Sequence, residues 1–367
     1  MPQGQTQPVP MRARFLDLGT LSPSALHAAY HGLAAAQDDG AAPVLVWARS
    51  AAPHVCLGQS QSACAELDLA ACAQAKVAVV RRMLGGGTVL VDGDQRCVFF
   101  ILPLTLAAAR PARIFAYCLG PLARTFQTLG IEARLVGHAD LWVGDAKIAG
   151  SGAATIGRCM VFGSSFVLNF PDELFCRLVR APSPGFREWL HEALPAAFTS
   201  WVRLGLVPAD AVLAGALCDA AAAALGWDLY PDVPSADEGR AMRAAEEELR
   251  RDAEDEEEGA GRRRVANGIK LNAATYLAES HDGAAWLRVL LKDGYIARIG
   301  AHDPDITTAL GGCIGTPIEP AVLQDRLARR LAPRAARAWA RRIEACLAGV
   351  RDDDDSAQRT DRWANRP

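Results

Sequence analysis

Arg81 and Arg82 stand just ahead of three consecutive glycines, Gly85, Gly86 and Gly87, and Lys147 stands just ahead of a second run of small residues, Ala149-Gly150-Ser151-Gly152. Glycines in series leave the backbone without Cβ atoms, so its N–H groups can approach an anion at hydrogen-bonding distance. A glycine loop with a guanidinium beside it, and an ammonium on a neighbouring hairpin, suits a phosphoryl group that gains charge in its transition state. The spacing is neither that of a P-loop nor that of a dinucleotide-binding fingerprint. Taken singly, the loop also reads as a glycine-rich turn between strands, and Lys147 as a solvated strand position. Side chains alternate along a strand, so only one of Arg81 and Arg82 can face the loop. One can bind an anion while the other braces the structure.

These residues must be held by strands. "PVLVWA" and "VAVVRR" have the β-branched enrichment of short strands, and "SALHAAYHGLAAAQ" and "DLAACAQA" have helical spacing. "FAYCLGPLARTFQTLG" predicts a helix closed by Gly130, and "DLWV" and "AKIAG" predict a hairpin turning at Gly144-Asp145, followed by the strand "CMVFGSSFVLNF". Hairpins mixed with helices favour an α+β fold over a doubly wound parallel sheet. The predicted organisation is a catalytic domain over 13–232, a charged linker or exposed helix over 233–264, a small α/β accessory domain over 265–350 and a disordered tail over 351–367.

Composition limits the functional classes. The chain has 367 residues, half of them apolar, and a net charge of -3, so there is no single-sign field to attract nucleic acid or a membrane surface. The longest apolar stretch, "CVFFILPL", is far below the roughly 20 residues of a membrane span, and the expected location is cytoplasmic. Ten scattered cysteines form no CxxC pair and read as buried thiols. None of the seven histidines has a partner at metal-ligand spacing, so a protein-held metal is not expected. Only four of the 39 basic residues are lysines. A lysine kept in so arginine-rich a chain points to a need for a compact ammonium.

Three segments, in order, resemble the lipoate-protein ligases, which share a superfamily with biotin ligases and octanoyltransferases. "VLVWARSAAPHVCLGQSQ" is similar to the family's tryptophan strand and G-x-x-Q element, "VVRRMLGGGTVLVD" to R-R-x-x-G-G-G-x-V, and "GHADLWVGDAKIAGSG" to N-D-L followed by K-I-x-G. The likeness spans roughly Phe15 to Phe170, and the segment from Asn267 to about Val350 looks like the family's accessory domain. The resemblance implies a mixed β-sheet catalytic domain and a two-step reaction. Lipoate and ATP, with magnesium accompanying the nucleotide, would give lipoyl-AMP and pyrophosphate. The acyl group would then pass to a lysine of a lipoyl carrier domain, of the 2-oxoacid dehydrogenase E2 or glycine cleavage H-protein type. Carried over position by position, Lys147 is the catalytic residue. Arg82 with Gly85, Gly86 and Gly87 would hold the mixed anhydride, and Trp47 would wall the acyl slot. Asp140 would orient the nucleotide side, and Ala149 and Gly150 would line the substrate.

Four positions depart from the family pattern. Leu84 replaces a serine, Val91 a histidine, Ala139 an asparagine, and Phe162 the histidine of a His-Gly pair. These losses leave open a different acid, a nucleotide-independent octanoyl or lipoyl transferase or amidotransferase working through a cysteine, and a non-catalytic acyl-binding protein. Cys118 and Cys159 are expected to be structural thiols, and His138 an exposed loop residue.

Overall fold

The computed structural model describes residues 10–38, 40–108, 113–254 and 267–348. The expected tail over 351–367, and 255–264 of the expected linker, lie outside them. The chain divides into two compact units, the first comprising Met1–Ser60, Lys76–Phe170 and Thr199–Glu257.

The first unit is built on two sheets. In chain order its strands are β1 (Met11–Leu21), β2 (Val44–Ser50), β3 (His54–Leu57), β4 (Ala78–Arg81), β5 (Val89–Val91), β6 (Gln95–Pro103), β7 (Arg134–Val136), β8 (Asp140–Val143), β9 (Ala146–Ile156), β10 (Cys159–Val167) and β11 (Trp227–Pro231). The large sheet runs β11-β1-β2-β6-β10-β9-β8-β7 and the small one β4-β3-β5. β1 lies parallel to β2 and β11, while β6, β8, β9 and β10 pair antiparallel, giving the mixed sheet of the expected α+β class.

Strand alternation sorts β2 between two cores. Leu45 and Trp47 face a cluster covered by α5 (Ile114–Thr128) and α8 (Asp210–Leu225), through Leu119, Phe126, Leu213 and Leu217. Val44, Val46 and Ala48 face a second cluster covered by α1 (Pro23–Ala35), through Leu26, Tyr30, Leu33 and Ala34. Those four residues recur at helical spacing, so one stripe of α1 carries its apolar side chains. Ser22 caps α1 by accepting from the Ala25 amide at 3.2 Å, and Pro23 occupies the first turn, where its missing N–H costs nothing.

Part of the expected linker is the helix α9 (Ala236–Glu254), which lies against α1 within the first unit. At Gly32 of α1, a Cβ would sit 2.3 Å from the Met242 amide nitrogen, so the crossing is too close for any side chain. α9 starts with a capping box. The Ser235 hydroxyl accepts from the Glu238 amide at 3.2 Å, and Glu238 accepts in return from the Ser235 amide at 2.7 Å. Arg14 then holds Glu238 through both guanidinium termini, at 2.5 and 2.9 Å, and Asp232 through Nε at 2.7 Å. A charged sequence can therefore dock here because one side chain of β1 answers two carboxylates.

The second unit comprises Gln61–Ala75, Pro171–Phe198 and Glu258–Pro367. Its sheet is β12 (Gly268–Lys270), β13 (Thr275–Asp282), β14 (Ala285–Lys292) and β15 (Tyr295–Ala301), antiparallel and in sequence order. The hairpin between β14 and β15 turns on Asp293 and Gly294, both at positive φ. Helices α10 (Pro304–Leu310), α11 (Pro320–Ala328) and α12 (Pro333–Cys346) pack against it through Leu310, Leu323, Leu327, Ala336 and Ile343. The unit also takes in α2 (Ala63–Glu66), α3 (Leu69–Gln74), α6 (Asp172–Leu178) and α7 (Pro184–Ala197), sequence-assigned to 13–232. A buried network explains why α7 groups with the second sheet. Arg288 reaches Glu279 at 2.5 Å and the α7 cap Ser183 at 3.1 Å, and stacks on Trp189 and Trp286. No helix among the described residues is long and apolar enough to cross a membrane.

Candidate active site

Lys147 is placed by the hairpin of β8 and β9. Gly144 takes a φ of 57° at the turn, a left-handed conformation open to glycine, as expected. Asp140 pairs with Gly150 and Leu141 with Ala149, but then the register slips and Trp142 pairs with Lys147. This bulge re-aims the lysine along the strand. Its Nζ lies 2.8 Å from Asp140 Oδ1, the two side chains being 21% and 14% exposed. The ammonium also crosses Gly150, where a Cβ would stand 2.7 Å from Nζ and 2.8 Å from Cε. Gly150 is thus the bare floor on which the ion pair lies.

The glycine loop rests on the same face of β9. A Cβ on Gly152 would stand 2.5 Å from the Gly85 carbonyl oxygen, and the Gly85 amide donates to the Ala153 carbonyl at 3.4 Å. Gly150 and Gly152 are two residues apart and point the same way, so the Lys147 ammonium and the loop border one strip of strand, about 7 Å apart along it. Gly86 has a φ of 103°. The amides of Gly86 and Gly87 have no hydrogen-bond partner among the described residues, the condition an anion cradle requires.

Arg82, expected to help hold the anhydride, lies under the glycine loop. It is 8% exposed, and its guanidinium is turned inward. Nη2 donates to the carbonyls of Gly85 at 3.0 Å and Gly87 at 2.8 Å, and Nη1 to the Cys56 carbonyl at 3.0 Å. Nη2 is thus directed to the loop itself and Nη1 to β3. In a trans peptide the carbonyl and the next amide point in opposite directions. By drawing in the Gly85 oxygen, Arg82 turns the Gly86 amide outward. Of the two arginines, Arg82 is the brace, while Arg81 lies half-buried with Nη1 near the carbonyls of Gly58 and Gln59.

Trp47 and Ala149 belong to the opposite core, with Phe166 and Phe126, so the structure brings neither into contact with the loop's face. Trp47 packs 6.1 Å from Phe166, ring to ring, and is 4% exposed. Three of the four departures are buried apolar residues. Leu84 fills the space above Gly163, where a Cβ would meet its Cδ1 at 2.6 Å, and Val91 lies in the same core. Phe162 contacts Phe100 and Phe115 across the sheet, and Ala139 offers its carbonyl to Ser151 at 2.6 Å. Exposed His138 meets the Phe115 ring edge-on at 5.7 Å. Cys118 and Cys159 are buried, and burial raises both thiols, Cys159 to about 11.

Beneath Arg82 lies a buried polar group that sequence reading did not single out. His27 and His54 meet Nε2 to Nε2 at 3.0 Å, and Cys56 touches both His27 and Arg82. Burial pushes each histidine down to about 3, assisted for His27 by the charge of Arg82 and for His54 by that of His27 against the Ala52 carbonyl. The alternation in "HVCL" put His54 and Cys56 on one face of β3, and was the available signal.

Residues 26–200 match the lipoyl protein ligase A/B catalytic domain. Lipoate–protein ligase 1 of Staphylococcus aureus is 29% identical over 117 residues, 32% of this chain and 35% of that protein. The chain thus spans little more than a third of the length of the curated relatives it matches. Among solved structures, a bipartite lipoate protein ligase from Thermoplasma acidophilum, described with its E2 lipoyl domain, has a TM-score of 0.58 at 19% identity over 65% of this chain and 92% of its own. A lipoate-protein ligase A bound with ATP gives 0.54 at 18% over 65% and 95%. LipL1 of P. falciparum in complex with lipoate gives 0.53 at 15% over 89% and 98%. At such identities the likeness is one of fold. Over residues 26–200 the chain is thus similar to the lipoyl protein ligase A/B catalytic domain.

Proposed function

We propose that this protein is an ATP-dependent ligase that activates lipoate or a related acid as an acyl-adenylate and passes the acyl group to a lysine of a lipoyl carrier domain. The observation that carries this reading is that the Lys147 ammonium lies over Gly150 and the glycine loop over Gly152, two residues apart on β9. The relatives' names and the ATP, lipoate and E2 lipoyl domain described with the solved structures support the substrates and partner class.

In the first step a carboxylate oxygen of the acid attacks the α-phosphorus of ATP. The new O–P bond forms as the bond to the β-phosphate oxygen breaks, and pyrophosphate leaves with that electron pair. Negative charge grows between carboxylate and phosphate, where the ammonium of Lys147 stabilises it most. Asp140 holds Lys147 in place through the 2.8 Å ion pair, and the amides of Gly86 and Gly87 receive the phosphoryl oxygens. In the second step the neutral carrier amine attacks the anhydride carbonyl, the C–N bond forms, AMP leaves, and the amine's proton passes to solvent. No group of three or more His, Cys, Asp or Glu among the described residues is placed to hold a metal. Magnesium would instead arrive with the nucleotide and screen its phosphates.

The cysteine-dependent transferase reading needs a reachable thiolate. Burial raises both Cys118 and Cys159, which argues against it. The test is mass spectrometry of candidate carrier domains incubated with the protein, a panel of acids and ATP, with nucleotide omitted in parallel. Carrier acylation only with ATP is expected. Acylation without nucleotide would support the transferase, and acid binding with no acylated carrier would support a non-catalytic protein.

A further inference from the structure

Ser50, His54, His27, Cys56 and Arg82 form a continuous buried chain that ends on the glycine loop. Its protons can be assigned in order. The Ser50 hydroxyl donates to the Ala52 carbonyl at 2.7 Å, so His54 Nδ1, 3.2 Å from Ser50 Oγ and 3.3 Å from the Ala52 oxygen, must carry hydrogen. His54 Nε2 is then the acceptor of the neutral ring, and His27 Nε2 donates across the 3.0 Å contact. This leaves His27 Nδ1 as an acceptor, 3.9 Å from the Cys56 thiol. The Leu57 carbonyl, which also receives the Arg82 amide at 2.9 Å, is a second acceptor for that thiol at the longer 4.0 Å. With its hydrogen directed to His27, Cys56 sulfur presents a lone pair to Arg82 Nη1 at 3.5 Å.

We infer that His27, His54 and Cys56 are positioning residues for the acyl-phosphate loop: their hydrogen-bonded chain fixes the Arg82 fork, and the fork fixes which way the loop amides point. The inference rests on the proposed acyl-adenylate reading for its purpose, though not for its geometry. Arg82 contacts the loop at two carbonyls with one nitrogen, an arrangement that tolerates little rotation. A Cβ at Gly86 would come within 2.9 Å of that nitrogen, so guanidinium and loop backbone are already in close contact. Among the described residues Nη1 is held by the Cys56 carbonyl and sulfur, so the histidine side of the chain bears on how firmly the fork is anchored. Both rings are neutral at working pH, which keeps the donor order fixed.

Amide hydrogen exchange on the full chain, free of ligand, tests this directly. In His27→Leu, which leaves the His54 acceptor and the Cys56 thiol unmatched, exchange of the Gly85 and Gln59 amides, which tie the loop to the Ala153 and Leu84 carbonyls, is expected to rise roughly tenfold while the β6 and β10 amides stay within about twofold. His27→Gln, which can accept from the thiol and donate to His54, should return the loop to near the original rate. Adenylate formation should follow, with kcat falling about tenfold in His27→Leu and KM for the acid nearly unchanged. Should His27→Leu not fold, Cys56→Ala takes its place, with the same loop-specific rise expected. Unaltered exchange at Gly85 and Gln59, or a uniform rise across the whole unit, would overturn the inference. If the unaltered protein makes no adenylate at all, the proposed function fails, yet the exchange result still decides whether the chain positions the loop.

Discussion

Gly150→Ala separates the ion-pair geometry from the fold. The added Cβ would lie 2.7 Å from Lys147 Nζ, 2.8 Å from Cε and 3.6 Å from Asp140 Oδ1. Ordinary contact begins near 3.4 Å, so the lysine tip must recoil by about 0.7 Å or more, whereas Asp140 need not move. The obstacle is the end of a flexible side chain, and Gly150 is not among the glycines at positive φ. The strand can therefore accept alanine, whose lower unfolded-state entropy contributes about 0.4–1 kcal/mol of stability. Loosening a partly exposed ion pair offsets this by about 1 kcal/mol or less. Stability should thus change by under about 1 kcal/mol. Displacing a catalytic group by about 1 Å can lower a rate about 10²-fold, and that is the expected fall in adenylate formation. The assay is pyrophosphate release with saturating acid and ATP, beside a thermal melt. A rate within about threefold of the original, with a normal melt, would refute the claim that Lys147 acts from its position over Gly150. Gly152→Ala gives the contrast. There the added carbon meets the Gly85 carbonyl oxygen at 2.5 Å, backbone against backbone. Stability should fall by about 1–3 kcal/mol along with activity.

Lys147→Ala removes the ammonium and should abolish ATP-dependent pyrophosphate release while the melt stays near the original; retained turnover in a pyrophosphate assay would remove Lys147 from its role. Leu84→Ser restores the family's residue but places a hydroxyl among Gly163, Phe99 and the core, so chemical denaturation should show a loss of about 2–4 kcal/mol. Arg82→Lys keeps the charge and loses the fork that serves Gly85, Gly87 and Cys56, so adenylate formation should drop steeply; near-full activity would mean that a point charge is enough. The histidine pair sets a pH dependence. Both rings are held near 3 against an ordinary 6.5, so the unfolded chain binds more protons between those values. Their contribution is complete above about pH 6.5 and is lost as pH falls towards 3. Two protons give a slope of about 2.7 kcal/mol per pH unit, and His27→Gln should remove about half of it in denaturant melts between pH 4 and 6.

The sequence carried the hairpin and the helices well because each depended on local signals. Gly144-Asp145 demanded a turn, Gly130 ended α5, and the apolar spacing of "SALHAAYHGLAAAQ" chose a helix. Lys147 and Asp140 could be placed together since a hairpin brings its two arms into register. What stayed hidden depended on tertiary partners. The direction of the Arg82 guanidinium follows from a loop that folds back on it, and nothing in "VVRRMLGGG" says whether the donors meet a ligand or the loop's own carbonyls. The affinity of α9 for α1 likewise required knowing that Arg14 on β1 would meet Glu238. The close association of α7 with the second sheet depended on Arg288 finding Ser183 some hundred residues earlier.

The inward turn of Arg82 does not remove it from the electrostatics of the site. A buried arginine is ordinarily matched by a carboxylate, because removing an unpaired charge from water is expensive. Among the described residues its hydrogen-bond partners are three carbonyls and a thiol sulfur, all neutral. Lys147, in contrast, already lies against Asp140. Among the described residues the Arg82 charge has no carboxylate partner, and the Gly86 amide, turned away from Arg82, extends the same positive potential from beneath the glycine loop. An anion arriving on that amide gains from a guanidinium it never touches. The same side chain thus gives the cradle both its shape and much of its field, which is why a replacement that keeps only one of the two should not suffice.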